Sequence, residues 1–352
     1  MSESRMSTGR APAGSPSRVP EILDSARNLV GPAIHAAVEY IDDERMRRIA
    51  GYQMGWVDAQ GSPTASGGKS IRPALTVLAA AAAAGKGEVA APAAAAVELV
   101  HNFSLLHDDV MDRDVERRHR ATGWVVYGEG QAILAGNAML TAAIETLVRA
   151  GEPGLRSLPC LLAATQELIS GQSQDLDLEG RENVGLDEVL QMEIGKTAAL
   201  LSCSTKIGAI AAGAPKRYVD GLATFGRELG IAFQLVDDVL GVVGDPVATG
   251  KSSSSDVRAG KRSATIVAAL TAGTDASRRL AELFAGGPPE TEEEVSLATK
   301  LIGEAGGLDW AMTEADRRLD LAHRQLDELE LPNQDAVADL RELADFIVGR
   351  DR

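Results

Sequence analysis

Residues 91–112 read APAAAAVELVHNFSLLHDDVMD, and this stretch decides the fold. It is long, apolar and alanine-rich, with a proline near its start where a helix tolerates one. A helix advances about 100° per residue, so His101, Asp108 and Asp112 fall within one narrow stripe. Asp108, Asp109 and Asp112 place three carboxylates within five residues of an otherwise apolar helix. At i and i+4, like charges repel by a few tenths of a kcal/mol on an exposed helix, and by more when buried. Buried acids are costly unless paired or bound to metal, so this cluster calls for cations. Paired carboxylates suit Mg²⁺, which keeps several waters and favours phosphate oxygens. The plainer reading is a solvated acidic helix end.

Outward from this stretch, apolar residues recur at helical spacing almost without a break. The stretches are Glu21–Ala50, Pro73–Ala84, Gln131–Arg149, Leu155–Gln174, Leu186–Ala212, Tyr218–Val243, Ala264–Ala272, Glu292–Ala305, Leu308–Leu329 and Gln334–Val348. Nothing alternates with period two long enough to make a strand. The expectation is an all-α chain: a disordered tail over residues 1–20, rich in Ser, Gly, Pro and Arg, then one helical domain over 21–352. With 35 basic against 51 acidic residues and a net charge of -16, the chain is a poor candidate for nucleic acid or an anionic membrane. Aromatics at 3% leave few platforms for base stacking. The longest apolar run, Ala74–Ala84, is too short to span a bilayer, and Met1–Pro20 lacks the apolar core of a signal peptide. Cys160 and Cys203, far apart in apolar runs, read as small core residues of a reducing compartment. The expected location is the cytoplasm.

Arg113, Arg117, Arg118 and Arg120 follow the first acids at once, and guanidinium groups match phosphate oxygens. Metal ligands followed by arginines point to a metal-bridged polyphosphate, although the arginines could simply neutralise the acids. A second pair, Asp237 and Asp238, closes the apolar run GIAFQLVDDVLGVV near a helix C-terminus, where acids oppose the macrodipole by roughly 0.3–1 kcal/mol. That cost implies a compensating cation. Beyond it, Gly250–Arg262 carries Lys251, Arg258, Lys261 and Arg262 in a Ser- and Gly-rich setting, and reads as a mobile basic lid over phosphate.

These motifs, in this order, resemble the trans-polyprenyl (isoprenyl) diphosphate synthases. GGKSIRP (67–73), LLHDDVMDRDVERR (105–118), Lys196-Thr197, FQLVDD (233–238), GDPVATGK (244–251) and the segment to Lys261 carry the resemblance, which covers about residue 25 to the C-terminus. It implies an antiparallel helical bundle around a central cavity, usually homodimeric, with both acidic motifs facing that cavity. It further implies Asp108 and Asp112 as ligands of two Mg²⁺ ions with Asp109 in support, and Asp237, with Asp238 beside it, for a third. Arg117, Lys196, Lys251 and Lys261 would surround an allylic diphosphate. Lys69, Arg72, His101 and Arg118 would bind isopentenyl diphosphate, and Thr197 and Gln234 would present oxygens to the allylic cation. No protein nucleophile is required.

Several positions depart from the family pattern. Gly241 stands where a third aspartate is usual, His119 replaces a glycine after the arginine pair, Ser70 replaces a common arginine, and Asn137 stands where an aspartate is frequent. Gly241→Asp is expected to be neutral or activating. Terpene cyclases share the fold and metal chemistry but need no second diphosphate site, whereas Lys69, Arg72, His101 and Arg118 are all present. A non-catalytic regulatory subunit would more naturally lose the first acidic motif. Product length is read from Phe103 and Ser104, the fifth and fourth residues before Asp108. A lone Phe with a small Ser and an uninterrupted DDVMD resembles synthases of geranylgeranyl diphosphate, with farnesyl diphosphate as the alternative. Phe103 is also consistent with ordinary core packing.

Overall fold

The computed structural model describes residues 17–64, 68–178, 181, 183–244 and 254–349. These residues form α1 (Val19–Val38), α2 (Glu44–Gln53), α3 (Ile71–Ala84), α4 (Ala91–Met111), α5 (Gly123–Tyr127), α6 (Glu129–Arg149), α7 (Glu152–Leu178) and α8 (Leu186–Glu193). They continue with α9 (Ala199–Ala211), α10 (Lys216–Val243), α11 (Ser255–Arg258), α12 (Ala264–Thr271), α13 (Asp275–Phe284), α14 (Glu292–Glu304), α15 (Gly307–Leu329) and α16 (Gln334–Gly349). The all-α expectation is met. The sheet among the described residues is a two-residue pair, β1 (Glu116–Arg117) with β2 (Arg120–Ala121).

Local chemistry explains where the helices differ from the periodicity. The expected helix 21–50 is two, because the Asp43 carboxylate accepts from the Met46 amide at 3.0 Å and starts α2 afresh. The unforeseen α13 is capped by Thr274, which accepts from the Ser277 amide at 3.0 Å, and buries Leu280 and Phe284. The expected helix 186–212 is interrupted by a π turn, Ile194–Ala198. Helix α1 already begins at Val19, and the Arg18 amide donates to Glu342 at 2.6 Å, so the chain joins the fold inside the expected tail. Residues 1–16 of that tail lie outside the described residues.

Helix α10 is the centre of one core, packed against α9, α15 and the π turn. Helix α4 runs through a second core against α1, α3, α6 and α9. Contrary to the expectation that apolar runs are too short, Gly87–Met111 and Glu129–Arg149 are each long and apolar enough to cross a membrane. The first is 67% buried inside the bundle, which accounts for its apolar character by core packing. The C-terminal ends of α4 and α10 carry the two acidic motifs.

Candidate active site

Helix α4 ends at Met111, and the Asp112 amide donates to the Asp108 carbonyl at 2.8 Å. Arg113 takes a left-handed backbone (φ 58°), which turns the chain back toward the helix it has just left. A two-residue turn at Arg118 and His119, both left-handed (φ 54° and 59°), then joins β1 to β2. This returns Arg117 to the acids, where its Nε donates to Asp109 Oδ1 at 2.6 Å. Asp109 is 1% exposed, and burial pushes its carboxyl up to about 6 despite that guanidinium. Asp108 is likewise pushed up to about 6, chiefly by burial, with Lys196 opposing the rise and Asp112 adding to it.

The four arginines read as one phosphate cluster are separated by the hairpin. Arg113 pairs with Glu129 and lies over the Trp124 ring. Arg120 donates to the Val57 carbonyl at 2.9 Å and lies over the Tyr52 ring. Arg117 and Arg118 remain for the site. Arg118 approaches Gly68, where a Cβ would come within 3.3 Å of its Nη1. Burial, reinforced by the charges of Arg72, Arg118 and Arg117, holds His101 well below its ordinary value and so neutral at pH 7. Glu98, one turn before Asn102 and hydrogen-bonded to it at 3.2 Å, is raised by burial against the pull of Arg72 and Arg118. Arg72, His101 and Arg118 are therefore one group, while Lys69 is exposed beside Gly68.

Lys196 and Thr197 are placed by the π turn, a geometry often found at functional sites. Glycines clamp it from two sides. A Cβ at Gly171 of α7 would lie 2.2 Å from the Lys196 nitrogen, and one at Gly230 of α10 would lie 2.6 Å from Ala198 Cα. Lys196 Nζ donates to Asp175 Oδ2 at 2.5 Å. Thr197 donates to Gln234 Oε1 at 2.7 Å, and Gln234 Nε2 donates to Asp238 Oδ1 at 2.7 Å. The Ala264 amide, opening α12, donates to both Asp238 Oδ2 (3.0 Å) and Glu193 Oε1 (3.1 Å). Burial raises the carboxyls of both Glu193 and Asp238 above their ordinary range. Both oxygens of Asp238, expected beside the third metal, accept from protein donors in the structure, and the residue anchors α10 to α12. Asp237, its half-buried neighbour, is left as the second motif's metal candidate.

The expected lid is also corrected in its described part. Ser254 donates to the Val242 carbonyl at 2.9 Å and Val257 is fully buried, which fastens α11 to the end of α10. Arg258 forms a two-pronged pair with Glu292 at 2.6 Å, and Arg262 lies over Phe284 and donates to the Arg181 carbonyl. Lys261 faces the site instead. Burial works against its charge, but Asp256, Asp112, Asp175 and Asp114 together hold the ammonium above its ordinary value. Residues 245–253, Lys251 among them, lie outside the described residues. Phe103 is buried and meets His107 edge-on at 4.9 Å, and His107 in turn fills the space beside Gly136 of α6. Ser104 is buried and donates to the His101 carbonyl at 2.8 Å. Sequence reasoning missed Glu98, Asp175, Glu193 and Asp256. Glu98 and Glu193 are lone acids in the apolar runs AAVELV and VLQMEIG, and that isolation is the signal that could have found them. Asp175 sits in GQSQDLDL, a stretch polar enough to pass for a solvated helix end, and Asp256 follows a run of serines; neither carries such a signal.

Among the described residues, no three His, Cys, Asp or Glu side chains converge to cage an ion by themselves. One carboxylate oxygen of Asp112 is nevertheless buried with no hydrogen-bond partner, and Asp108 is destabilised by burial of its charge. Such oxygens fit Mg²⁺, which takes one or two carboxylates and completes its shell with water and substrate phosphate.

Acids whose charge is strained by burial, beside gathered lysines and arginines, describe an enzyme of metal-bridged diphosphates. Residues 56–302 match the family model for polyprenyl synthetase, and the chain belongs to that family. It is a trans-polyprenyl diphosphate synthase, a prenyltransferase. Two proteins of Mycobacterium tuberculosis are each 42% identical to it. One is a (2E,6E)-farnesyl diphosphate synthase (94% of this chain, 92% of that one), and the other a geranylgeranyl diphosphate synthase (91% and 92%). A polyprenyl synthetase structure from Streptomyces coelicolor A3(2) superposes with a TM-score of 0.88 at 45% identity, covering 94% of this chain and 99% of that one. A polyprenyl synthase from Caulobacter crescentus, complexed with calcium and isoprenyl diphosphate, superposes with a TM-score of 0.83 at 28% identity, covering 97% and 100%.

Proposed function

We propose that the chain condenses isopentenyl diphosphate with an allylic diphosphate, using Mg²⁺, to give geranylgeranyl diphosphate. The observation that carries this is the presence of two separate cation groups. Lys196 pairs with Asp175 and lies in the field of Asp108, and Lys261 lies in the field of Asp256, Asp112 and Asp175, whereas Arg72, Arg118 and neutral His101 are gathered around Glu98. Two groups serve two diphosphates; a cyclase needs one.

Asp108, Asp112 and Asp237 would hold three Mg²⁺ ions, which when bound neutralise the departing diphosphate. Lys196, Lys251, Lys261 and Arg117 bind the allylic diphosphate, and Asp109 orients Arg117. Lys69, Arg72, His101 and Arg118 hold isopentenyl diphosphate so that its alkene faces the allylic C1. The allylic C–O bond breaks, the alkene carbon bonds to C1, and a proton leaves the adjacent carbon for the released diphosphate. Thr197, having given its hydrogen to Gln234, keeps its oxygen lone pairs for the transient cation. The product length is supported by Ser104, which is small and lies within about 40° of Asp108 around α4. Phe103 packs toward α6 and is the weaker candidate for a floor.

A homodimer is supported by α7, which exposes Leu155, Leu162, Ile169 and Leu176 at seven-residue spacing, 37–53% accessible. Incubation with radiolabelled isopentenyl diphosphate, an allylic starter and Mg²⁺, followed by chromatography of the dephosphorylated products, tests the reading. A twenty-carbon alcohol is expected. A fifteen-carbon alcohol would select the farnesyl alternative, and cyclic hydrocarbon from one substrate alone would reject the synthase reading.

A further inference from the structure

We propose that Asp256 supplies the carboxylate that the second acidic motif lacks at Gly241, reaching the metal-diphosphate site from α11. The proposal rests on the synthase reading above and names a residue that the motif itself does not contain.

The first observation is steric. A Cβ built at Gly241 would lie 2.2 Å from Asp256 Oδ2, 2.5 Å from its Cγ and 2.9 Å from its Oδ1. The carboxylate of Asp256 thus occupies the volume into which a side chain at 241 would project. Gly241 is one turn beyond Asp237 on α10, so that volume adjoins the same helix face. A side chain at 241 would have to displace that carboxylate.

The second observation is that the placement of Asp256 is built. Ser254 is tied to the Val242 carbonyl at 2.9 Å, Val257 is fully buried in a core shared with Val242, and the Lys261 amide donates to the Asp256 carbonyl at 2.9 Å. One short segment therefore delivers a carboxylate and, five residues on, the ammonium of Lys261. A carboxylate delivered beside Gly241 and on the same segment as Lys261 serves a site that gains positive ions when it is filled. Asp256 then holds an ion or its water and orients Lys261 toward the diphosphate.

The experiment is a Mn²⁺ titration followed by electron paramagnetic resonance, in the presence of inorganic diphosphate at neutral pH. Wild type, Asp256→Asn, Gly241→Asp and the exchange Gly241→Asp/Asp256→Gly are compared, with circular dichroism as the check on folding. Asp256→Asn is expected to weaken the weakest Mn²⁺ site about 10–100-fold, as loss of a supporting carboxylate does elsewhere. Gly241→Asp alone should also weaken binding, because it drives two carboxylates into one volume, and the exchange should restore affinity to within a few-fold of wild type. Wild-type affinity in Asp256→Asn overturns the proposal, as does an exchange variant no better than the worse single variant. Failure of wild type to bind Mn²⁺ with diphosphate would overturn the synthase reading of the site itself, a result the variants alone cannot produce.

Discussion

Replacing Asp108 by Asn should abolish turnover and yet stabilise the metal-free protein at neutral pH. Burial, only partly offset by Lys196, pushes Asp108 up to about 6, against an ordinary aspartate value near 4. A rise of about two units corresponds to about 3 kcal/mol at 1.36 kcal/mol per unit, and to about 2 kcal/mol once its partial contact with water is allowed for. Because the folded value lies above the unfolded one, the folded chain binds the extra proton between pH 4 and 6. The stability carried by that proton is complete below pH 4 and is lost as pH rises through about 6. At pH 7.5 the wild type bears the full cost of the buried charge, and the neutral amide bears none. Urea denaturation of EDTA-treated proteins between pH 4 and 8 measures the difference, and comparing two proteins that differ at one atom group cancels every other carboxylate. The gap should grow from near zero at pH 4 to about 2 kcal/mol at pH 7.5. Mg²⁺ with inorganic diphosphate should then stabilise the wild type by mass action and the variant much less. A variant less stable than wild type at pH 7.5, or a gap independent of pH, would refute the account of Asp108 as a charge held ready for metal.

Ser104→Phe should shift the product toward fifteen carbons, read by chromatography of the dephosphorylated alcohols; an unchanged distribution removes Ser104 from the floor. Phe103→Ala should instead show itself mainly as about 3 kcal/mol of lost stability in urea, since Phe103 is packed against His107 in the core. A longer product with unaltered stability would reverse these two assignments. His119→Gly should raise the urea midpoint by the equivalent of about 1 kcal/mol, because residue 119 is left-handed (φ 59°) and only glycine adopts that conformation without strain. A lowered midpoint would mean that the His119 side chain stabilises the turn. Leu162→Glu, at the middle of the exposed α7 stripe, should convert a dimer to a monomer in analytical ultracentrifugation, and a persistent dimer would move the interface elsewhere.

The long helices were legible because their evidence is local: alanine-rich repeats at helical spacing, punctuated by Gly and Pro. What was not legible depended on partners distant in sequence. The π turn cannot be read from IGKTA, since it is held by the bare faces of Gly171 and Gly230 on two other helices. The arginine cluster was legible as charge but not as direction. Its sorting follows from three left-handed residues, Arg113, Arg118 and His119, none of which is the glycine that would have announced a turn. Gly241 was read as a missing acid because adjacency is all that a motif records. The acid that meets it comes from fifteen residues further on, across a helix end, so under the proposal above Gly241→Asp competes with Asp256 for one volume instead of filling a vacant one.

The two DD pairs obey one geometric rule that the motifs conceal. Neighbours on a helix differ by about 100°, so two adjacent acids cannot face the same ligand equally. In each pair the second acid turns into the protein: Asp109 is 1% exposed and held by Arg117, and Asp238 is 3% exposed and held by Gln234 and the Ala264 amide. In each pair the first acid, Asp108 or Asp237, is half-buried. The inward acid fixes the elements that carry the cations, β1 with Arg117 in one case and α12 with the segment ending at Lys261 in the other. Repetition of the pair at the ends of α4 and α10 is thus a repetition of construction, one carboxylate to set the frame and one proposed above to meet the metal, and the two members of a pair should fail differently. Loss of the first leaves a folded protein that binds metal poorly, whereas loss of the second releases an arginine or a helix start and lowers stability before it touches the chemistry.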